Sequence, residues 1–343
     1  MVPVTKNLGL IEWVVNTKPL KYLYEKEMPT YQSSIIDNIA FRKRINFLKK
    51  HSPKEHHNDI RKLHHCLLEL PRDKILEEFE KEEKSFPRNL LQSSLRKMAS
   101  SADYYIKLRT KFLKNYSVLS LCGYILGVGD RHLDNFLFNY KKGDILTIDF
   151  GYSFGFAVGL YVPELMPFRL TQNIQELCHP LGINGIYRNS MIYTLKALRI
   201  CKNNLLDCCE VFVKDPLIDW IKLAKQKDKG FQQGNINQVE IGEEDDMEKL
   251  SWYPRKKIDI VEQKLRGVLC TEILIEELKD TKHGGEKYFD NLKSVVNGVQ
   301  GNVRWEMKGS GVGTIGDQVD CLIDLSQDPN VLGRAWSLWS PFA

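Results

Sequence analysis

Asp130, Asn135 and Asp149 are three polar side chains set at intervals that suit phosphoryl transfer. Between the last two, the apolar runs Phe136–Tyr140 and Ile145–Ile148 flank a Lys-Lys-Gly-Asp turn, a pattern that predicts a β-hairpin. A hairpin returns its two ends to one edge, so groups distant in sequence are gathered there. An Asp, an Asn shortly after it, a hairpin and then Asp-Phe-Gly make a recognisable set. The first Asp handles the proton of an acceptor hydroxyl, while the Asn and the second Asp hold Mg²⁺ beneath the phosphates of ATP. His132 lies in the same loop, placed to donate to the transferring phosphoryl or to share the proton; a purely structural histidine is the alternative. A lone Asp-Phe-Gly is common, and Gly-Asp is often only a turn. The ordered combination carries the argument.

The segments expected to hold this set in place are mostly helical. Tyr116–Leu126 is almost wholly apolar and predicts a buried helix leading into the loop, with Gly127 and Gly129 allowing a tight exit. Ser101-Ala-Asp103 caps the segment carrying Tyr105, Leu108, Phe112 and Leu113. Nearer the start, Val2–Thr5 and Leu10–Val15 read as strands around Lys6-Asn-Leu-Gly9. Thr17 is the expected N-cap of a helix with Pro19 in its first turn, carrying Leu20, Leu23 and Tyr24. Residues 31–85 are polar and helix-prone, and the basic patch at 42–50 reads as a solvated helix face. His56-His57 and His64-His65-Cys66 match no standard zinc spacing. Residues 173–227 predict a helical bundle and 256–280 a charged amphipathic helical stretch. Gly311–Gly316 matches G-x-G-x-x-G by letter, but joins no strand to a long helix. It is expected to be a flexible joint before an apolar helix (Val319, Leu322, Ile323), an Asp-Pro-Asn turn and a Trp-rich end.

The run from Gly129 to Asn135 with Asp149-Phe-Gly151 resembles the phosphatidylinositol-3-kinase-related protein kinases. Val162–Thr171, Val211–Pro216, Trp252–Ile258 and Asp328–Arg334 are similar to the members that act at broken DNA ends. The resemblance covers nearly the whole chain. It implies an α+β, mostly helical fold: a protein-kinase-like C-lobe with small β-hairpins at the hinge and catalytic loop, then C-terminal FATC helices. Its implied divisions are 1–17 (end of the N-lobe and hinge), 18–227 (C-lobe), 228–250 (polar linker), 251–310 (helical extension) and 311–343 (FATC). Within the C-lobe lie the catalytic loop 127–135, Asp-Phe-Gly 149–151 and the activation segment 151–169. Carried over residue by residue, Trp13 and Val14 are the hinge beside adenine, with Leu137 and Ile148 as the floor beneath it. ATP and Mg²⁺ are the implied cofactors. Protein Ser/Thr side chains, often before Gln, are the implied substrates, the Ku heterodimer and DNA ends the implied partners, and the nucleus the implied location. Two departures stand out: Tyr152 replaces a usual His, and Leu338 a usual Gly, before the closing Pro341-Phe-Ala.

No glycine-rich phosphate loop and no V-A-I-K-like lysine precede Trp13. The chain is therefore expected to be a C-lobe and tail without its N-lobe, inactive alone. A catalytically silent interaction fragment is one rival. A lipid kinase is the other, opposed by the lack of any Lys or Arg between Gly151 and Pro163 to meet headgroup phosphates. Composition restricts the setting. The net charge of +5 is too small to establish nucleic-acid binding. Eight cysteines without C-x-x-C pairs fit reduced thiols in a nuclear or cytosolic protein. No apolar run reaches the length of a membrane span.

Overall fold

The computed structural model describes residues 2–5, 8–28, 35–213, 252–279, 285–298, 313–336 and 339–341. The expected linker at 228–250, the end of the bundle beyond 213, Leu338 and the last two residues lie outside the described residues.

The fold is built around α6 (Ala102–Leu126), a helix about 37 Å long at 1.5 Å per residue. Ser101 opens it, its hydroxyl accepting the Tyr104 N–H at 3.2 Å as expected. Gly127 closes it in the left-handed conformation (φ 61°): its N–H bonds the Tyr124 carbonyl at 3.1 Å, and the Val128 N–H bonds that of Gly123 at 2.8 Å. Phe112, Leu113, Leu121 and Ile125 along α6 are all buried. Each fully buried Leu or Phe contributes about 1.5–3 kcal/mol.

Before α6 come β1 (Val2–Thr5), β2 (Leu8–Leu10), β3 (Thr17–Pro19), α1 (Leu20–Glu27), α2 (Ile35–His51), α3 (Ile60–Glu69), α4 (Arg72–Lys84) and α5 (Leu90–Met98). After it come β4 (Phe136–Asn139), β5 (Ile145–Thr147), α7 (Gln172–Leu177), α8 (Ile186–Ile200), α9 (Lys202–Val213), α10 (Trp252–Arg266), α11 (Cys270–Lys279) and α12 (Gly285–Asn297). The C-terminal pair is α13 (Ile315–Gln327) and α14 (Pro329–Leu332). β1 and β2 form one antiparallel pair. β3, β4 and β5 form an antiparallel sheet with β4 in the middle. One core unites α1 and α5–α8 with the C-terminal helices, and a smaller cluster of Leu48, Leu63, Leu67 and Ile75 joins α2, α3 and α4.

Several expectations are corrected. The second strand is Leu8–Leu10, and residues 11–14 continue outside any strand. Thr17 is not a helix cap: it lies in β3, and its hydroxyl donates to the Val14 carbonyl at 2.6 Å. Pro19 precedes α1 instead of entering it, and the expected Leu20, Leu23 and Tyr24 are carried on α1, where all three are buried. The basic patch is not wholly solvated. Arg44 is 1% exposed, pairs with Glu82 at 3.0 Å and donates to the Gly333 carbonyl at 2.6 Å. Burial pushes the Glu82 carboxyl up to about 7, against the pull of Arg44. Gly316 sits in the first turn of α13, whose Thr314–Asp317 capping box replaces the expected joint there. Asp328 caps a short helix, its carboxylate accepting the Asn330 and Val331 N–H groups, where a plain turn is expected.

Candidate active site

Two glycines set the exit from α6. A Cβ on Gly127 would collide with the backbone nitrogen of Gly155. One on Gly129 would meet Ala157 and stand 2.8 Å from a Glu164 carboxylate oxygen. These close approaches join the loop to the segment after Asp149. The Phe154 N–H bonds the Leu126 carbonyl at 2.8 Å, Gly155 bonds Gly127 at 2.9 Å, and Gly129 bonds Tyr152 at 2.7 Å.

The hairpin behaves as its sequence predicts. Phe136 pairs with Thr147 and Phe138 with Ile145, and the Ile148 N–H bonds the Asn135 carbonyl at 3.1 Å. Asn135 and Asp149 therefore emerge at the same end of the β4–β5 hairpin. Asn135 is buried and donates its side-chain amide to the Asp130 carbonyl at 2.8 Å. Asp149 is exposed, and its Oδ1 accepts the Gly151 N–H at 3.1 Å.

Arg131 locks both sides together. Its Nε donates to the Gly129 carbonyl at 2.8 Å, one terminal nitrogen to Ile148 at 2.9 Å, and the other to Asp149. One guanidinium thus holds backbone before Asp130 and backbone at Asp149. Burial lowers its pKa, and the nearby Glu164, Asp130 and Asp149 oppose that.

Asp130 and Asp149 both have positive φ, 57° and 59°. For a residue with a Cβ this costs on the order of 1–3 kcal/mol, which the surroundings must offset. At Asp130 they do so through Glu164, whose carboxylate accepts the Asp130 N–H and, at 3.3 Å, the Arg131 N–H. Burial raises the Glu164 carboxyl to about 7, while those two hydrogen bonds favour its charged form. Buried Arg169 is the next layer: its Nε donates to the Arg131 carbonyl at 3.2 Å and a terminal nitrogen to the Ser340 carbonyl at 2.9 Å. The Trp339 indole N–H donates to Asp130 Oδ1 at 3.0 Å.

His132 is one-third exposed. Its Nδ1 accepts the Asp134 N–H at 3.3 Å, which places the proton of a neutral ring on Nε2. The residues expected around adenine differ in exposure. Trp13 is 61% and Val14 41% exposed, Ile148 is half-buried, and Leu137 is 1% exposed in the middle of the sheet. Of the two residues expected as the adenine floor, Leu137 is thus already covered by packing. β3 pairs Thr17 with Asn139, and the Tyr140 N–H bonds the Asn16 carbonyl at 3.1 Å, which ties the segment following Trp13 and Val14 to β4.

Arg131, Glu164, Arg169 and Trp339 carry no assigned role in the sequence reading. Arg131 sits between Asp130 and His132, and Glu164 and Arg169 lie in the run Val162–Thr171 that marks the resemblance. No local pattern links any of them to its partner.

A helical lobe that hands a glycine-flanked loop to a hairpin ending in Asp-Phe-Gly is the C-terminal lobe of a kinase-type fold. The chain belongs to the phosphatidylinositol 3- and 4-kinase family, whose model matches residues 1–222; a FATC domain follows at residues 314–343. It is similar to the DNA-dependent protein kinase catalytic subunit of Dictyostelium discoideum, 35% identical over 99% of this chain and 8% of that protein. The Mus musculus protein of the same name is 34% identical over 100% of this chain and 8% of its own length. The serine/threonine-protein kinase Smg1 of Drosophila melanogaster is 33% identical over 64% of the chain and 7% of its own length. Among solved structures, the FAT and kinase domain of CtTel1 matches with a TM-score of 0.59 at 19% identity, covering 98% of this chain and 18% of that one. The chain thus spans about 8% of the length of the first two relatives. No described helix is long and apolar enough to cross a membrane.

Proposed function

We propose that the chain is the catalytic C-lobe and FATC tail of a protein serine/threonine kinase of the DNA-dependent protein kinase type. The observation that supports this most is the Arg131 fork, which joins the loop of Asp130 and Asn135 to Asp149 across the hairpin. Asp130 orients the acceptor hydroxyl and takes its proton. His132, with its proton on Nε2, donates to the transferring phosphoryl. Asn135 and Asp149 offer oxygen ligands, which suit a hard cation such as Mg²⁺; the Asn135 amide nitrogen is engaged with Asp130, leaving Oδ1 for the metal. Mg²⁺, when bound there, neutralises charge on the ATP phosphates. Trp13 and Val14 form the adenine hinge, Ile148 the floor, and Leu137 backs that floor from within the sheet.

By likeness to the relatives, the substrates are Ser or Thr side chains, often before Gln. The setting is nuclear repair of broken DNA by end joining, with Ku and DNA ends as partners. Residues 1–343 alone are inactive on this reading. The family description favours phosphatidylinositol lipids as a second reading. The stretch from Gly151 to Pro163 speaks against it, since it contains no cation for a headgroup. The test offers the full-length protein Ser-Gln peptides and phosphatidylinositol vesicles side by side with labelled ATP. Label in peptide alone is expected; label in lipid alone would exchange the two readings.

A further inference from the structure

We propose that Trp339, near the C-terminus, is a positioning residue for Asp130, its indole N–H fixing the carboxylate that receives the substrate proton. The proposal rests on the kinase reading above and adds a residue to the same site.

The backbone of Asp130 is set by Glu164 and by its left-handed conformation, but neither sets the plane of its carboxylate. The final torsion of an Asp side chain has a broad, roughly two-fold well, so the two oxygens exchange easily. Trp339 removes that freedom by donating to Oδ1 at 3.0 Å. With Oδ1 engaged, Oδ2 is the oxygen left to accept from a substrate hydroxyl. An indole suits this role because it donates only, carries no charge and cannot take the proton from Asp130.

The donor is itself anchored. Trp339 is 6% exposed, and its backbone N–H bonds the Trp336 carbonyl at 3.0 Å. The next residue, Ser340, gives its carbonyl to Arg169, the same guanidinium that holds the Arg131 carbonyl next to Asp130. Tail and catalytic loop thus share one buried cation, which keeps the indole in register with the carboxylate.

The test is made in the full-length protein with two isosteres at position 339, introduced by genetic-code expansion. 3-Benzothienylalanine keeps the fused rings and loses the N–H, whereas 7-azatryptophan keeps the ring N–H. The benzothienyl form is expected to lose kcat by about 10- to 100-fold, the scale of a misplaced reacting group, with ATP KM and thermal midpoint unchanged. The azatryptophan form should stay within about threefold of the parent, because its hydrogen bond persists. An unchanged kcat in the benzothienyl form overturns the proposal. Equal losses in both forms assign Trp339 to packing, and a rise in kcat makes the contact a restraint; either overturns positioning. Asp130→Asn is the reference for loss of the base. A parent protein that labels no peptide at all overturns the kinase reading, and this proposal with it.

Discussion

The side chain of Glu164 holds the backbone of Asp130, accepting its N–H across a separation of 34 residues. The same carboxylate accepts the Arg131 N–H, so one group in the segment after Asp149 orders the loop that carries Asp130. Its ionisation sets a pH dependence. Burial moves its pKa from the ordinary 4.5 to about 7. Below about 7 the carboxyl gains a proton and one oxygen turns from acceptor to donor, which weakens its hold on the loop. The rate of the full-length protein should therefore fall as pH drops from 8 to 6. Glu164→Gln, which cannot titrate, should have a flatter acid limb and a lower plateau. The linkage to stability has the opposite sense: between about 4.5 and 7 the folded protein keeps a proton that the unfolded chain has released, so this group costs stability as pH rises. Rate–pH profiles of both proteins decide the point, and two profiles of the same shape would remove Glu164 from the account.

Asp130 and Asp149 should fail differently. Asp130→Asn removes the proposed proton acceptor and is expected to lower kcat by about 10²- to 10⁴-fold with little change in ATP KM. Asp149→Asn should raise the Mg²⁺ concentration needed for half-maximal rate by at least about tenfold. Steady-state kinetics with Mg²⁺ titration separate the two, and an unaltered Mg²⁺ requirement in Asp149→Asn would withdraw that ligand.

Residues 1–343 expressed alone should bind ATP poorly and transfer no label to peptide. Leu10, Ile11, Trp13 and Val15 are each more than 60% exposed, an apolar strip that favours association with another surface. Positioning of reactants can account for about 7–11 kcal/mol of barrier reduction, and these residues include no glycine-rich loop or phosphate lysine ahead of Trp13 to supply it. Calorimetry and label transfer measure both properties; micromolar ATP binding with turnover would show that the residues present suffice.

The Arg44–Glu82 pair should respond asymmetrically to truncation. Glu82→Ala leaves a guanidinium buried and charged, and is expected to destabilise by about 3–5 kcal/mol. Arg44→Ala leaves a carboxyl already raised to about 7, which can neutralise itself by taking a proton. Its cost should be the smaller, and smaller still at pH 6 than at pH 8. Denaturant unfolding of the two variants at both pH values measures this; equal costs at both would show that charge is not the cause.

The features legible in the order of amino acids alone lie in short-range pattern. The capped and closed α6, the β4–β5 hairpin and the order Asp130, Asn135, Asp149 follow from periodicity, turn chemistry and spacing, all of which act over a few residues. Where local signals competed, sequence reasoning misplaced elements. Thr17 has the chemistry of a cap, but its pairing with Asn139 in the sheet draws it into β3. Arg44 belongs by composition to a basic surface, but it is buried, held by Glu82 on α4 and the Gly333 carbonyl just after α14. Only the tertiary structure could bring Glu164 to Asp130, Arg169 to Arg131 and Ser340, and Trp339 to the Asp130 carboxylate. Each of those contacts joins segments whose separation leaves no trace in local pattern. A buried hydrogen bond depends on where packing places a donor beside an acceptor, and the packing of the whole core determines that meeting.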